Sequence, residues 1–245
     1  MKKIINHLKE NWIKYGFETF VITIGILGAF ALNSWNDDRK AQEIEIKLLK
    51  EMAAGLKKDL SIFDDNINIH NGGYEASSII LEALTLDKIY FDSLSIYFAM
   101  THNYTVFSPN TGAYESLKSL GIEVIENDDI RLGAIGIYEQ GYSNLQANIE
   151  YCTNYVMNVS MNFNPSHFEE FKFFDADLFN REIGSYGGRM VPINFEKLKT
   201  NQVYQYHLKS LKNWHDTMMR YHLSTKGRAE RLITLIQEEI DLREN

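Results

Sequence analysis

Proline is scarce and cysteine almost missing. Pro109, Pro165 and Pro192 are the three prolines in 245 residues, so the first 108 positions hold none. With so few helix breakers, long helices are expected. The lone cysteine, Cys152, excludes an intrachain disulfide framework and an all-cysteine zinc site. Positive charge is also short. Lysine and arginine number 25 against 33 aspartates and glutamates, a net charge of −8. A nucleic-acid module, which needs a basic face, is disfavoured. Motifs that carry chemistry are missing too: no Gly-x-Ser-x-Gly, His-Glu-x-x-His, phosphate loop or dinucleotide fingerprint occurs. Gly184, Gly187 and Gly188 lack the flanking strand and helix that would give them meaning. The carboxylates follow solvated helix faces without a distinctive acid/base pair. No catalytic, cofactor-binding or metal residue is therefore expected, no cofactor, and no enzyme.

What is present begins with composition. Apolar residues make up 44% and charged residues 24% of the chain, an ordinary globular balance. The most specific feature is the run GFETFVITIGILGAFALNSW at residues 16–35, free of charge from Phe20 to Leu32. A bilayer core of about 30 Å needs about 20 mostly apolar residues in a helix. Trp12, Tyr15 and Trp35 stand at its ends, where aromatic rings favour the interface. The competing reading is a cleaved signal peptide, for which Ala29-Phe30-Ala31 offers a small-x-small site. The long basic region ahead of the run, and Glu18 inside it, argue for the transmembrane helix. Four lysines precede the segment (Lys2, Lys3, Lys9, Lys14), and Arg39, Lys40, Lys47 and Lys50 follow it. The count is a tie, but a long following domain translocates largely regardless of charge. The expected arrangement is a basic cytoplasmic tail at 1–15, an inner-membrane helix at 16–35 and a periplasmic body at 36–245. Gly25, Gly28 and Ala29 offer small residues for a membrane dimer, and Glu18 is read as a headgroup anchor beside Lys14.

Two patches resemble a known family. The first is Gly16-Phe17-Glu18, Ile24-Gly25-Ile26-Leu27, Ala31-Leu32-Asn33-Ser34-Trp35-Asn36 and Arg39-Lys40. The second is Thr111-Gly112-Ala113-Tyr114-Glu115-Ser116-Leu117-Lys118-Ser119 followed by Asn127 to Arg131. Both resemble an uncharacterised family of small single-pass membrane proteins from Bacteroidota. Phe17 between Gly16 and Glu18 departs from the adjacent Gly-Glu pair usual there. The resemblance implies an anchor and supplies no catalytic residue.

The rest reads as all-α, a single helical bundle. Ile46, Leu49, Ala53, Leu56, Leu60, Phe63 and Ile67 step by three and four, a heptad seam, and His70 continues it. The anchor is expected to run straight into this helix, with Asn71-Gly72-Gly73 ending it. Residues 74–86 and 88–100 read as two further helices meeting near Asp87, with a strand as the alternative for 89–98. Residues 113–120 read as a short helix. Asn127 is the expected N-cap of a long helix through Ile130, Ala134, Ile137, Leu145, Ile149, Cys152, Val156 and Val159. Asn164-Pro165 breaks that helix, and Ser166 with Glu169 suggests a capping box. Seven of the fourteen phenylalanines fall at positions 163–195. The stretch 163–192 reads as an aromatic crossover, either a lid on the core or a ligand or partner surface. A last seam runs through Tyr204, Leu208, Leu211, His215, Met218, His222, Thr225, Ala229, Leu232 and Ile236, with fraying expected from Asp241.

The histidines are the one constellation that invites chemistry. His215 and His222 lie two helical turns apart on the apolar seam, roughly 10 Å, too far to share one ion directly. A metal, another cofactor or a pH switch would need a ligand from a second helix; satisfied core histidines are the expectation. The anchor and the missing motifs point first to a membrane-anchored interaction or scaffold protein. Its partners would be the lipid bilayer and a protein partner or second copy, with no nucleic acid. The alternative is a ligand-binding or sensor-like bundle acting through a partner.

Overall fold

A computed structural model describes residues 12–173 and 188–244. The basic residues before Trp12, and Phe174, Phe179, Gly184 and Gly187, lie outside the described residues. Among the described residues the fold is all-α apart from one two-stranded sheet. The chain divides into two units, residues 1–48 and 49–245.

In the first unit every described side chain from Gly16 to Leu32 is exposed. They belong to α1 (Trp12–Thr85). The stretch from Gly16 is long and apolar enough to cross a membrane.

The second unit is a bundle. After α1 come α2 (Leu94–Met100), α3 (Gly112–Leu120), α4 (Asp128–Ile135) and α5 (Tyr142–Asn162). Then follow β1 (Phe168–Phe173), β2 (Gly188–Pro192), α6 (Phe195–Lys199) and α7 (Gln202–Glu244). The seam of α7 is buried from Tyr204 to Ile240, including every position named from the sequence.

The buried stripe of α1 differs from the apolar seam. Leu49, Met52, Leu56, Asp59, Phe63, Asn66, His70, Gly73, Ser77, Ile80 and Leu84 are buried, while Ile46, Leu60 and Ile67 are only half-buried. The three-four spacing holds, but Asp59, Asn66 and His70 occupy it because each has a polar partner on another part of the chain.

Asn71-Gly72-Gly73 does not end α1. Glycine lowers helix stability without forbidding it, and here Gly73 lets the ring of His215 approach. The helix stops at Thr85, where Asp87 adopts φ 53° and the Lys88 amide donates to the Ala83 carbonyl at 3.1 Å. This is the Schellman arrangement, with an aspartate in the left-handed position. Residues 88–93 then turn rather than forming the helix expected from 88, and 89–98 is not a strand. Tyr90 packs on Phe195 with ring centroids 5.5 Å apart and holds the turn to the core.

Asn127 caps α4 as expected, accepting from the amides of Asp129 and Ile130. Residues 136–141 form a π-helical segment joining α4 to α5. Ser166 and Glu169 make no capping box, because the chain enters β1 at Phe168 and pairs antiparallel with β2. Phe168 is drawn out of any helix by its edge-on packing on Phe98 and Tyr204. With Phe163, Met190, Phe195 and Leu198 it closes one end of the core. Among the described residues the C-terminal end stays helical. Helix α7 reaches Glu244, held by Arg243 on Glu239 and by Lys50 on Glu244, both 2.6 Å.

Candidate functional site: a cavity beside a buried histidine chain

Between α2 and α3 the chain crosses the bundle in extended form, residues 103–111. Backbone buried without a ladder must find side-chain partners. Asn66 Nδ2 donates to the Val106 carbonyl at 3.0 Å, and Gln146 Nε2 donates to the Phe107 carbonyl at 3.4 Å. Asp59, fully buried, accepts from the Asn110 amide at 3.0 Å, from Asn110 Nδ2 at 2.6 Å and from the Tyr142 hydroxyl at 2.6 Å. Burial and the bond to Asp59 push the Tyr142 phenol far up, so it stays a donor.

The histidines belong to the same arrangement. The Thr101 carbonyl can only accept, so His215 Nε2, 3.2 Å away, carries its proton. In the neutral ring His215 Nδ1 is then bare and accepts from His70 Nδ1 at 3.1 Å. His70 Nε2 in turn accepts from the Thr105 hydroxyl at 3.0 Å. The Thr105 oxygen faces His222 Nε2 at 3.5 Å. Every ring thus has one tautomer, and the chain runs in one direction from His222 to Thr101. Burial pushes His215 and His222 down to about 4. Burial, then the neighbouring His215 and His222, push His70 down to about 2. The chain is uncharged at neutral pH, and His222 Nδ1 is left without a partner.

His102 repeats the logic. Its Nδ1 donates to the Phe98 carbonyl at 3.1 Å, so its Nε2 accepts from Asn164 Nδ2 at 3.0 Å. Burial pushes it down to about 4.

Beside this segment lies a cavity of about 620 Å³. Its walls are α1 at Asn66 and Ile69, the stretch from His102 to Val106, α5 at Val156, Met157 and Ser160, and the start of the hairpin at Phe168 to Phe171 with Met190. Thr105 and His102 belong to both the cavity wall and the histidine bonding.

The structure brings His215 and His222 onto either end of His70, which the seam of α1 placed correctly. His207 stands apart, bonded to the Tyr155 hydroxyl at 3.0 Å. Among the described residues no three metal-ligating side chains converge. Cys152 is buried, which pushes its thiol up to about 11, away from reactivity. Sequence reasoning missed Asp59, Asn66, His102, Thr105 and Asn164. A usable signal existed on α1, since Leu49, Met52, Leu56, Asp59, Phe63, Asn66 and His70 keep heptad spacing once polar residues are admitted.

No curated protein and no solved structure matches the chain. The matched region described next contains His70, His102, Thr105 and Asn164 but stops before α7 with His215 and His222. The model of a family of unknown function (DUF6090) matches residues 18–176, more than half of the chain, which therefore belongs to that family.

Proposed function

We propose that this protein is a membrane-anchored binding protein whose helical body holds a small, mostly apolar ligand. The cavity carries this reading. Its volume of about 620 Å³ falls within the range of about 300–1,000 Å³ common for small-molecule sites, which are apolar with a few placed polar groups. Ile69, Val156, Phe168 and Met190 supply the apolar wall; Thr105, Ser160 and Asn164 supply the polar groups. The exposed apolar face of residues 16–35 supports anchoring in the inner membrane. The N-terminal side would be cytoplasmic and the body periplasmic, since a long domain translocates largely regardless of its charge.

A scaffold role rests on the anchor, the long helix and the missing motifs, none of which names a site, whereas the cavity is a positive feature, so ligand binding takes precedence. No reaction is assigned; occupancy would be passed on through a partner protein. Native mass spectrometry of the full chain, extracted in mild detergent, tests the reading. The wild type should carry a small-molecule adduct. Met157→Trp should lack it, because Met157 is partly exposed on α5 and lines the cavity. Bare chains from both, or an adduct that survives the tryptophan, count against it.

A further inference from the structure

The charges around the cavity narrow the ligand, if the binding reading above holds. Among the described residues its lining carries two carboxylates, Glu169 and Glu170, and no lysine or arginine. Lys172 and Arg189 belong to the same hairpin but lie outside the lining. Glu170 is engaged by Lys172 Nζ at 2.5 Å. Glu169 is exposed, makes no close ion pair among the described residues, and stands within electrostatic reach of Lys172. His102 adds no positive charge, because its Nδ1 proton is committed to the Phe98 carbonyl and its Nε2 accepts from Asn164. An anionic ligand would leave water, meet no lysine or arginine among the described lining residues and face a carboxylate, which is costly on both counts. A ligand with an apolar body and a protonated amine meets neither cost: the ring and methyl groups fill the cavity, and the ammonium pairs with Glu169.

We infer that the cavity selects apolar amines and rejects carboxylates and phosphates of the same shape. This rests on the binding reading, and the test separates the two. Three matched probes are titrated into the full chain in lipid nanodiscs by calorimetry, with empty nanodiscs subtracted: 4-phenylbutylamine, 4-phenylbutan-1-ol and 4-phenylbutanoate. The amine should bind at least threefold tighter than the alcohol, and the carboxylate at least threefold weaker. Glu169→Gln, an exposed substitution, should bring the amine to the level of the alcohol. An amine no tighter than the alcohol, a carboxylate as tight as the alcohol, or an amine preference that survives Glu169→Gln overturns the amine selectivity alone. Failure of all three probes to bind, or binding that persists in Met157→Trp, overturns the cavity reading with it.

Discussion

Gly73 faces the imidazole of His215 so closely that a methyl group in its place would stand 2.2 Å from Cε1 and 2.3 Å from Nε2. The glycine is the space in which the histidine ring sits. Helix propensity alone favours alanine at such a position by about 0.8–1 kcal/mol. The ring cannot simply swing away, since Thr101 and His70 hold its two nitrogens. Overpacking a filled core costs about 1–3 kcal/mol. Gly73→Ala should therefore lower the thermal midpoint of the full chain in nanodiscs, against its propensity. In a His215→Ala background the same change should cost less, the coupling expected of residues in contact. A midpoint that rises with Gly73→Ala alone would place the ring elsewhere.

The neutral histidines make stability depend on pH in one direction. A free imidazole titrates near 6.5, while His215, His222 and His102 are held near 4 and His70 near 2. Above pH 6.5 folded and unfolded chains bind the same protons at these sites, and their full contribution is present. As pH falls from 6.5 toward 4, the unfolded chain takes up protons that the folded chain refuses, so stability falls. The unfolding midpoint should be flat from pH 7 to 8 and decline below 6.5. His222→Gln should make that decline shallower. The one hydrogen bond of His222 is the long contact to Thr105, and glutamine keeps much of the side-chain volume packed against Phe63 and His70, so the fold is expected to survive its replacement.

Asp59 gives a third test, because it sits at a core position where an apolar residue would be expected. Removing it strands the Tyr142 hydroxyl and the Asn110 amide inside the protein. A buried unpaired group costs about 1–3 kcal/mol. Asp59→Ala should therefore destabilise more than Leu60→Ala, although leucine is the larger apolar side chain, since Leu60 is only half-buried. Adding Tyr142→Phe to Asp59→Ala should cost less than the two changes summed. If Leu60→Ala proves the more harmful, the apolar seam through Leu60 faces the core after all.

These residues mark where the sequence stopped being legible. The α7 seam and the Asn127 cap follow from periodicity and local chemistry, and the structure places them as read. Three features depend on partners far away in the chain. Gly72-Gly73 reads as a terminator until His215, on another helix, is seen to need the gap. Asp59 reads as solvated, and Asn66 goes unread, until the segment from Thr105 to Asn110 is found hydrogen-bonded against them. Ser166 and Glu169 match a capping pattern, but Phe168 is captured by Phe98 and Tyr204. The cavity itself is built from five separate stretches, so no local pattern announces it.

The last prediction concerns the segment from residue 16 to residue 35. Phe20, Ile26, Leu27 and Phe30 are 59%, 59%, 63% and 75% exposed. Taking each such side chain out of water is worth about 1.5–3 kcal/mol. Summed along the run, this would favour burying the helix in a bilayer, and its length is enough to cross the hydrocarbon core. The chain should stay with membranes through alkaline carbonate extraction. If the N-terminal side is cytoplasmic, external protease should digest the body in intact spheroplasts and leave only the anchor with its tail. Release of the intact chain by carbonate would remove the anchor. A protected body would reverse the orientation. The signal-peptide alternative has its own signature: Ala29-Phe30-Ala31 places the cut before Leu32, so a mature chain beginning at Leu32 would show that cleavage occurs. An N-terminus at Met1 or Lys2 would show that the helix is kept, and that the apolar run serves as a permanent anchor.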